Sequence, residues 1–147
     1  MEQIYPYVQI VHLVCAIIFL GYIFFDVVIF MRLKSALGAD FERVKKAIGS
    51  RAIKIMPVCL FTLIITGGMM MSRWVGSANG GYFGTPLQKI FMLKVVLALI
   101  IAVCVAINLS CRAMGRPAPE FLRANIHKIA FVFGFIIVFC AKLMFVV

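Results

Sequence analysis

Four apolar runs, at residues 8–31, 53–71, 90–109 and 126–147, take up most of this chain. Each approaches or exceeds the roughly 20 residues that a helix needs to cross a bilayer. Hydrocarbon offers the backbone no hydrogen-bond partners, so such runs are expected to be helical. Composition closes off the soluble alternative. Of 147 residues, 65% are hydrophobic and 14% charged, against roughly 45–50% and about 25% in ordinary soluble domains. A soluble monomer of this size has too little interior to hide that much apolar surface. The expected fold is therefore all-α: an integral membrane four-helix bundle, one four-span domain over residues 1–147. The first run is not expected to be a cleaved signal, because Glu2 precedes it, no basic segment does, and the run is too long.

The net charge is +10, from fifteen Lys and Arg against five Asp and Glu. These charges sit mostly at the ends of apolar runs, which points to anionic lipid headgroups and topology rather than to nucleic acid. The first connection holds Arg32, Lys34, Arg43, Lys45, Lys46, Arg51 and Lys54, and the third holds Arg112, Arg116, Arg123 and Lys128. The second holds only Arg73 and Lys89. By the positive-inside rule the first and third connections face the cytoplasm, and both termini face the periplasm or exterior. The expected location is a bacterial cytoplasmic (inner) membrane.

Within the first connection, Asp40 is placed to cap a short helix with Phe41, Val44 and Ile48 on one face and Lys45 and Lys46 on another. A plain solvated linker is the competing expectation. The second connection, residues 75–86, is rich in glycine and is expected to be irregular. Trp74, Tyr82, Tyr5 and Tyr7 would form an aromatic belt at the outer interface. The five cysteines are widely spaced and contain no C-x-x-C pair, so no disulfide framework is expected.

Ionisable residues at membrane depth are costly and usually functional. His12 lies about one turn into the first span, on the outer side. Imidazole is a common ligand of haem iron and of copper. Lys94 lies one to two turns into the third span, and Lys142 lies near the outer end of the fourth. With Arg73 and Lys89 at the adjoining edges, these cations share the outer leaflet with His12. Haem offers an iron for one histidine and two anionic propionates for Lys or Arg, whereas clustered cations would repel a copper ion. Lys142 also has the simpler expectation of snorkelling to the headgroups. Asp26 follows His12 by fourteen residues, roughly 21 Å along the helix, and so belongs to the inner side. There an ion pair with Lys54, Arg123 or His127 is the first expectation and a proton-transfer role the second. His127 is an interfacial residue or a ligand of a second, inner site. Asn108 and Asn125 are placed to hydrogen-bond between helices.

Nine methionines are present. Met69 and Met92 fall on the outer side, where a second axial ligand would be wanted, although lipid-facing filler is the first expectation for any one of them. His12 and Cys15 lie one turn apart and could serve a soft metal. Pro57 and the Gly67-Gly68 pair mark the second span, the glycines permitting close approach of a helix or porphyrin.

The order and depth of these features resemble the small four-span superfamily that includes the HemJ-type protoporphyrinogen oxidases and the CopD-like copper-resistance membrane domains. The matching residues are His12 and Gly21 in the first span, Pro57, Thr62 and Gly67 in the second, Leu93 and Lys94 in the third, and Arg123, Asn125 and Lys142 around the fourth. The chain departs from the oxidase pattern where it has Asp26 and then Arg32 late in the first span, and residues 108–111 at the inner end of the third. The resemblance implies haem b with His12 as axial ligand to the iron, and Lys94 as partner for propionates or substrate carboxylates. It implies oxidation of a porphyrinogen with electrons passed to a quinone or another membrane carrier. Copper handling through His12, Cys15 and methionines is the alternative, and a non-catalytic membrane subunit is a third. Four spans make a thin shell around a porphyrin, so a homodimer or larger homo-oligomer is expected.

Overall fold

A computed structural model describes residues 3–146, apart from the side chain of Ala78. Glu2, and Val147 at the end of the expected fourth span, lie outside the described residues. The described chain is helical, the one extended feature being an isolated backbone bridge between Gly76 and Gly81. Three stretches are long and apolar enough to cross a membrane: Tyr5–Met71, Pro86–Ala113 and Glu120–Leu143. Large apolar side chains along them point outward, with Phe61 65%, Val58 63% and Phe139 73% exposed. Such a surface suits lipid and not water, and these are the features of a multi-pass membrane protein.

The chain divides into two compact units, which meet in sequence at Gly67 and Gly68. The first unit begins with α1 (Tyr5–Phe24). Pro6 stands in its first turn, where no backbone donor is needed. A π-turn (Phe25–Ile29), a 3-10 turn (Phe30–Leu33), the one-turn α2 (Lys34–Leu37) and a second 3-10 turn (Gly38–Asp40) follow. The long α3 then runs over Phe41–Met71. A straight helix would hold residues 12 and 66 about 80 Å apart. Instead the His12 and Thr66 side chains are 2.8 Å apart, so this stretch doubles back on itself.

The reversal is made at Gly38, whose φ of +51° and ψ of −121° are far from helical. That φ is one that side-chain-bearing residues rarely adopt. Phe30 and Phe41, both buried, stack across the reversal with ring centroids 5.0 Å apart. The amphipathic face expected in the first connection is present: Phe41 is buried, Val44 and Ile48 are half-buried, and Lys45 and Lys46 are exposed. It is not a separate short helix, however. Nothing between Phe41 and Met71 interrupts the backbone ladder enough to end it, and the helix continues through Pro57. The amphipathic segment and the second apolar run are thus one rod.

The second unit is built on α4 (Pro86–Ala113) and α5 (Glu120–Leu143), which pack against each other. Gly115, with φ +66°, starts the turn that joins them. Val75, Phe91 and Met144 form its buried cluster, with Met71, Trp74, Leu87, Ile90 and Val95 packed around them. Trp74 meets Phe145 edge-on at 5.4 Å.

The second connection is irregular, as expected, with one 3-10 turn (Ser77–Asn79), and specific hydrogen bonds hold it. Gly76 and Gly81 exchange both backbone hydrogen bonds, at 3.0 and 2.9 Å. Both glycines have positive φ, of +128° and +108°. Thr85 and Gln88 then form a reciprocal capping box at the start of α4. Buried Gln88 accepts from the Gly84 backbone at 2.9 Å and donates to the Asn79 carbonyl at 2.8 Å. One side chain therefore ties the loop to the helix.

Candidate functional site

His12 lies in the third turn of α1, and Thr66 in the apolar half of α3. The Thr66 hydroxyl donates its single proton to the Thr62 carbonyl four residues back, at 2.6 Å. Its oxygen is left to accept from His12, so Nδ1 of the imidazole carries the hydrogen and donates at 2.8 Å. In a neutral ring the lone pair then resides on Nε2. This is the arrangement in which a second group orients a metal-binding histidine and strengthens its donor atom. Thr66 is buried and His12 partly so, which holds the ring in one orientation.

Gly67 follows Thr66 directly. A Cβ built there would stand 3.5 Å from His12 Cε1, an ordinary contact, and one at Gly68 would meet nothing within 4 Å. Among the described residues, then, neither glycine is demanded by close approach of another helix. The Cys15 thiol, one turn after His12, is close enough to that of Cys59 on α3 to act on it electrostatically, and neither cysteine is in a disulfide.

In the second unit Lys94 is half-buried on α4. Its Nζ donates to the Met144 sulfur at 3.2 Å and stands 4.6 Å from the centroid of the Phe91 ring. Among the described residues no carboxylate pairs with it. A thioether is a weak acceptor and an aromatic face satisfies a cation only in part. The ammonium thus retains capacity for an anion. Lys142 lies on the last turn of α5 and is exposed, as are Arg73 and Lys89. Lys94 and Lys142 occupy the same end of the α4–α5 hairpin, since Met144 follows Lys142 by two residues and touches Lys94.

The remaining candidates are dispersed. Met69 is 49% exposed on α3, and Met92 is half-buried on α4. Asp26 is not on a regular α-helical turn but in the π-turn, close enough to Tyr22 to act on it electrostatically. His127 is half-buried in the third turn of α5. Asn125, expected to bridge helices, instead donates to the Phe121 carbonyl of its own helix at 3.0 Å. An amide one turn from a carbonyl finds that partner more readily than one on another element. Among the described residues no three of His, Cys, Asp and Glu gather as a metal cluster.

Sequence reasoning missed Thr66 and Met144, the groups that position His12 and Lys94. Thr66 carried a usable signal, since it is a polar residue in an apolar run one position before the singled-out Gly67. Met144 carried none that separates it from eight other methionines. Comparison with family models, with curated proteins and with solved structures finds no match to this chain.

Proposed function

We propose that this chain is a haem b-binding redox protein of the bacterial cytoplasmic membrane, with four spans and both termini outside. The observation that carries the reading is the His12–Thr66 hydrogen bond, which, with the Thr66 proton on the Thr62 carbonyl, favours the tautomer whose lone pair is on Nε2. Haem brings four nitrogens of its own and asks the protein for one or two axial ligands. A bare ion asks for three or four protein side chains. The donor set of this chain suits the first demand better than the second.

In this reading His12 would hold the haem iron. Thr66 holds the imidazole ring and draws on its Nδ1 proton. Lys94 binds a carboxylate, either a propionate or one carried by a substrate, with Arg73 and Lys142 as further cations for such groups. Met69 and Met92 are the candidates for any second ligand, and His127 is a candidate only for a second, inner site. Bound haem supplies one-electron exchange at its iron. The fitting reaction class is oxidation of a porphyrinogen, with electrons leaving to a quinone or another membrane carrier. The chain works as a homodimer or larger homo-oligomer, because four spans enclose a porphyrin thinly; a monomer in native mass spectrometry would refute this.

A second reading, copper handling, draws on the Cys15–Cys59 contact one turn from His12. Thiols and thioethers suit Cu(I). The deciding experiment is the oxidised and dithionite-reduced spectrum of detergent-purified protein, with a pyridine haemochrome assay. A b-type spectrum that is lost in His12→Ala is the expected result. A normal spectrum in that variant sinks the ligand assignment, and stoichiometric copper in a colourless protein favours the second reading.

A further inference from the structure

The amino-terminal part of α3 carries a charge pattern that the redox reading does not use. α3 is one helix of 31 residues, about 46 Å long at 1.5 Å per residue. The hydrocarbon layer is about 30 Å thick. Some 16 Å of helix therefore extends beyond it, and the apolar run beginning at Ile53 shows that the amino-terminal end is the part that extends. At 3.6 residues per turn, Arg43, Lys46, Arg51 and Lys54 fall on one face, about 140° wide. All four are exposed. Val44, Ile48 and Ile55 border this face on the Arg51 side, at about 100–140° on a scale that puts Arg43 at 0°, Val44 and Ile48 being half-buried and Ile55 exposed. Arg43 pairs with Asp40 at 3.3 Å, whereas Lys46, Arg51 and Lys54 have no acidic partner among the described residues. Lys45 lies off this face, 5.9 Å from the Phe41 ring centroid.

Because the stripe and the apolar run share one rod, helical rise sets the distance of each cation from the hydrocarbon. With Ile53 at the boundary, Lys54 and Arg51 lie within about 3 Å of it, Lys46 about 10 Å away and Arg43 about 15 Å away. The headgroup layer is only about 5–8 Å deep on each side, and screening acts over about 8 Å at physiological salt.

We propose that this face of α3 is a binding surface for anionic phospholipid headgroups, with contributions graded along the helix: Arg51 and Lys54 strongest, Lys46 weaker, Arg43 weakest. The charge complements the headgroup phosphate, and continuity with the apolar run places the inner cations at headgroup depth. A soluble acidic partner would meet the outer cations first and give the reverse order. The proposal is independent of the haem reading.

The test uses the full chain in mixed micelles of neutral detergent with equal phosphatidylglycerol and phosphatidylcholine, the retained lipid being quantified by mass spectrometry. The wild-type protein is expected to enrich phosphatidylglycerol. Each neutralised charge near the surface should lower that preference up to about five-fold, so R51Q and K54Q, as single variants and per charge removed in R51Q/K54Q, fall most, K46Q less and R43Q least. Equal losses, a reversed order or no preference in the wild-type protein would overturn the proposal. Should R51Q/K54Q fail to fold, two measurements remain. R51K/K54R keeps the preference. Raising salt from about 0.1 M to about 1 M shortens the screening length from about 10 Å to about 3 Å and abolishes it; loss in the first or persistence in the second counts against the stripe. Excess inorganic phosphate at constant ionic strength leaves lipid retention unchanged, and displacement would identify free phosphate as the ligand instead.

Discussion

The two units of this chain are each a helical hairpin, but they are closed by different forces. In the first, contacts near the open end of the hairpin are polar or soft: the imidazole on the Thr66 hydroxyl and one thiol on another. Its buried aromatic stack, Phe30 on Phe41, sits at the closed end by the reversal. In the second, the open end holds a buried apolar cluster, with Val75, Phe91 and Met144 packed together beside a loop pinned by Gln88. One hairpin is held where it needs only to turn, leaving its open end to chemistry. The other is held at the open end itself, and its polar candidate, Lys94, is seated against the packed cluster.

The contrast can be broken or sharpened by substitution. The largest effect should come from Phe91→Ala, which empties the second cluster and removes the ring beneath Lys94. Loss of a buried aromatic costs about 3–5 kcal/mol, to be read as a lowered denaturation midpoint in detergent. Gln88→Ala comes next. It breaks the capping box and leaves buried loop groups unpaired, at a cost of about 1–3 kcal/mol, and protease nicking within residues 76–85 should accelerate. Thr66→Val removes the acceptor for His12 at nearly constant volume. Stability should fall by only about 1 kcal/mol, while cofactor affinity falls about 10–100-fold, measured by haem titration. A stability loss as large as that of Phe91→Ala would erase the difference between the hairpins. Gly67→Ala should be smallest, within about 0.5 kcal/mol, because a methyl there makes an ordinary contact with His12. A large loss of haem with unchanged folding in that variant would instead mark Gly67 as a surface reserved for the cofactor.

The helical content and the apolar stretches were legible because hydrocarbon permits so few backbone solutions. Val44 and Ile48 could be placed on the inner face of their helix from spacing alone. His12 and Lys94 stood out because imidazole and ammonium are expensive at that depth. Their partners were not legible for a common reason. Pairing Thr66 with His12 requires the register of one helix against another fifty-four residues away, and no local pattern encodes it. Met144 sits against Lys94 through the same kind of non-local register. The irregular course of the loop was legible from its glycines, but its fastening was not: the Gly76–Gly81 bridge and the reach of Gln88 to Asn79 depend on backbone conformations that glycine permits without specifying.

The π-turn at Phe25–Ile29 bears on how this chain tolerates changes of length. The Phe30 backbone N–H reaches the carbonyls of both Asp26 and Phe25, so the ring it closes already holds a surplus residue relative to an ordinary turn. Removing one residue here would let the helix relax to regular geometry, whereas the same removal near His12 would rotate the imidazole by about 100° away from Thr66. The π-turn is a place where the first hairpin can absorb a deletion, between a stretch whose register is tied to the imidazole and a reversal whose register is tied to Phe30 and Phe41.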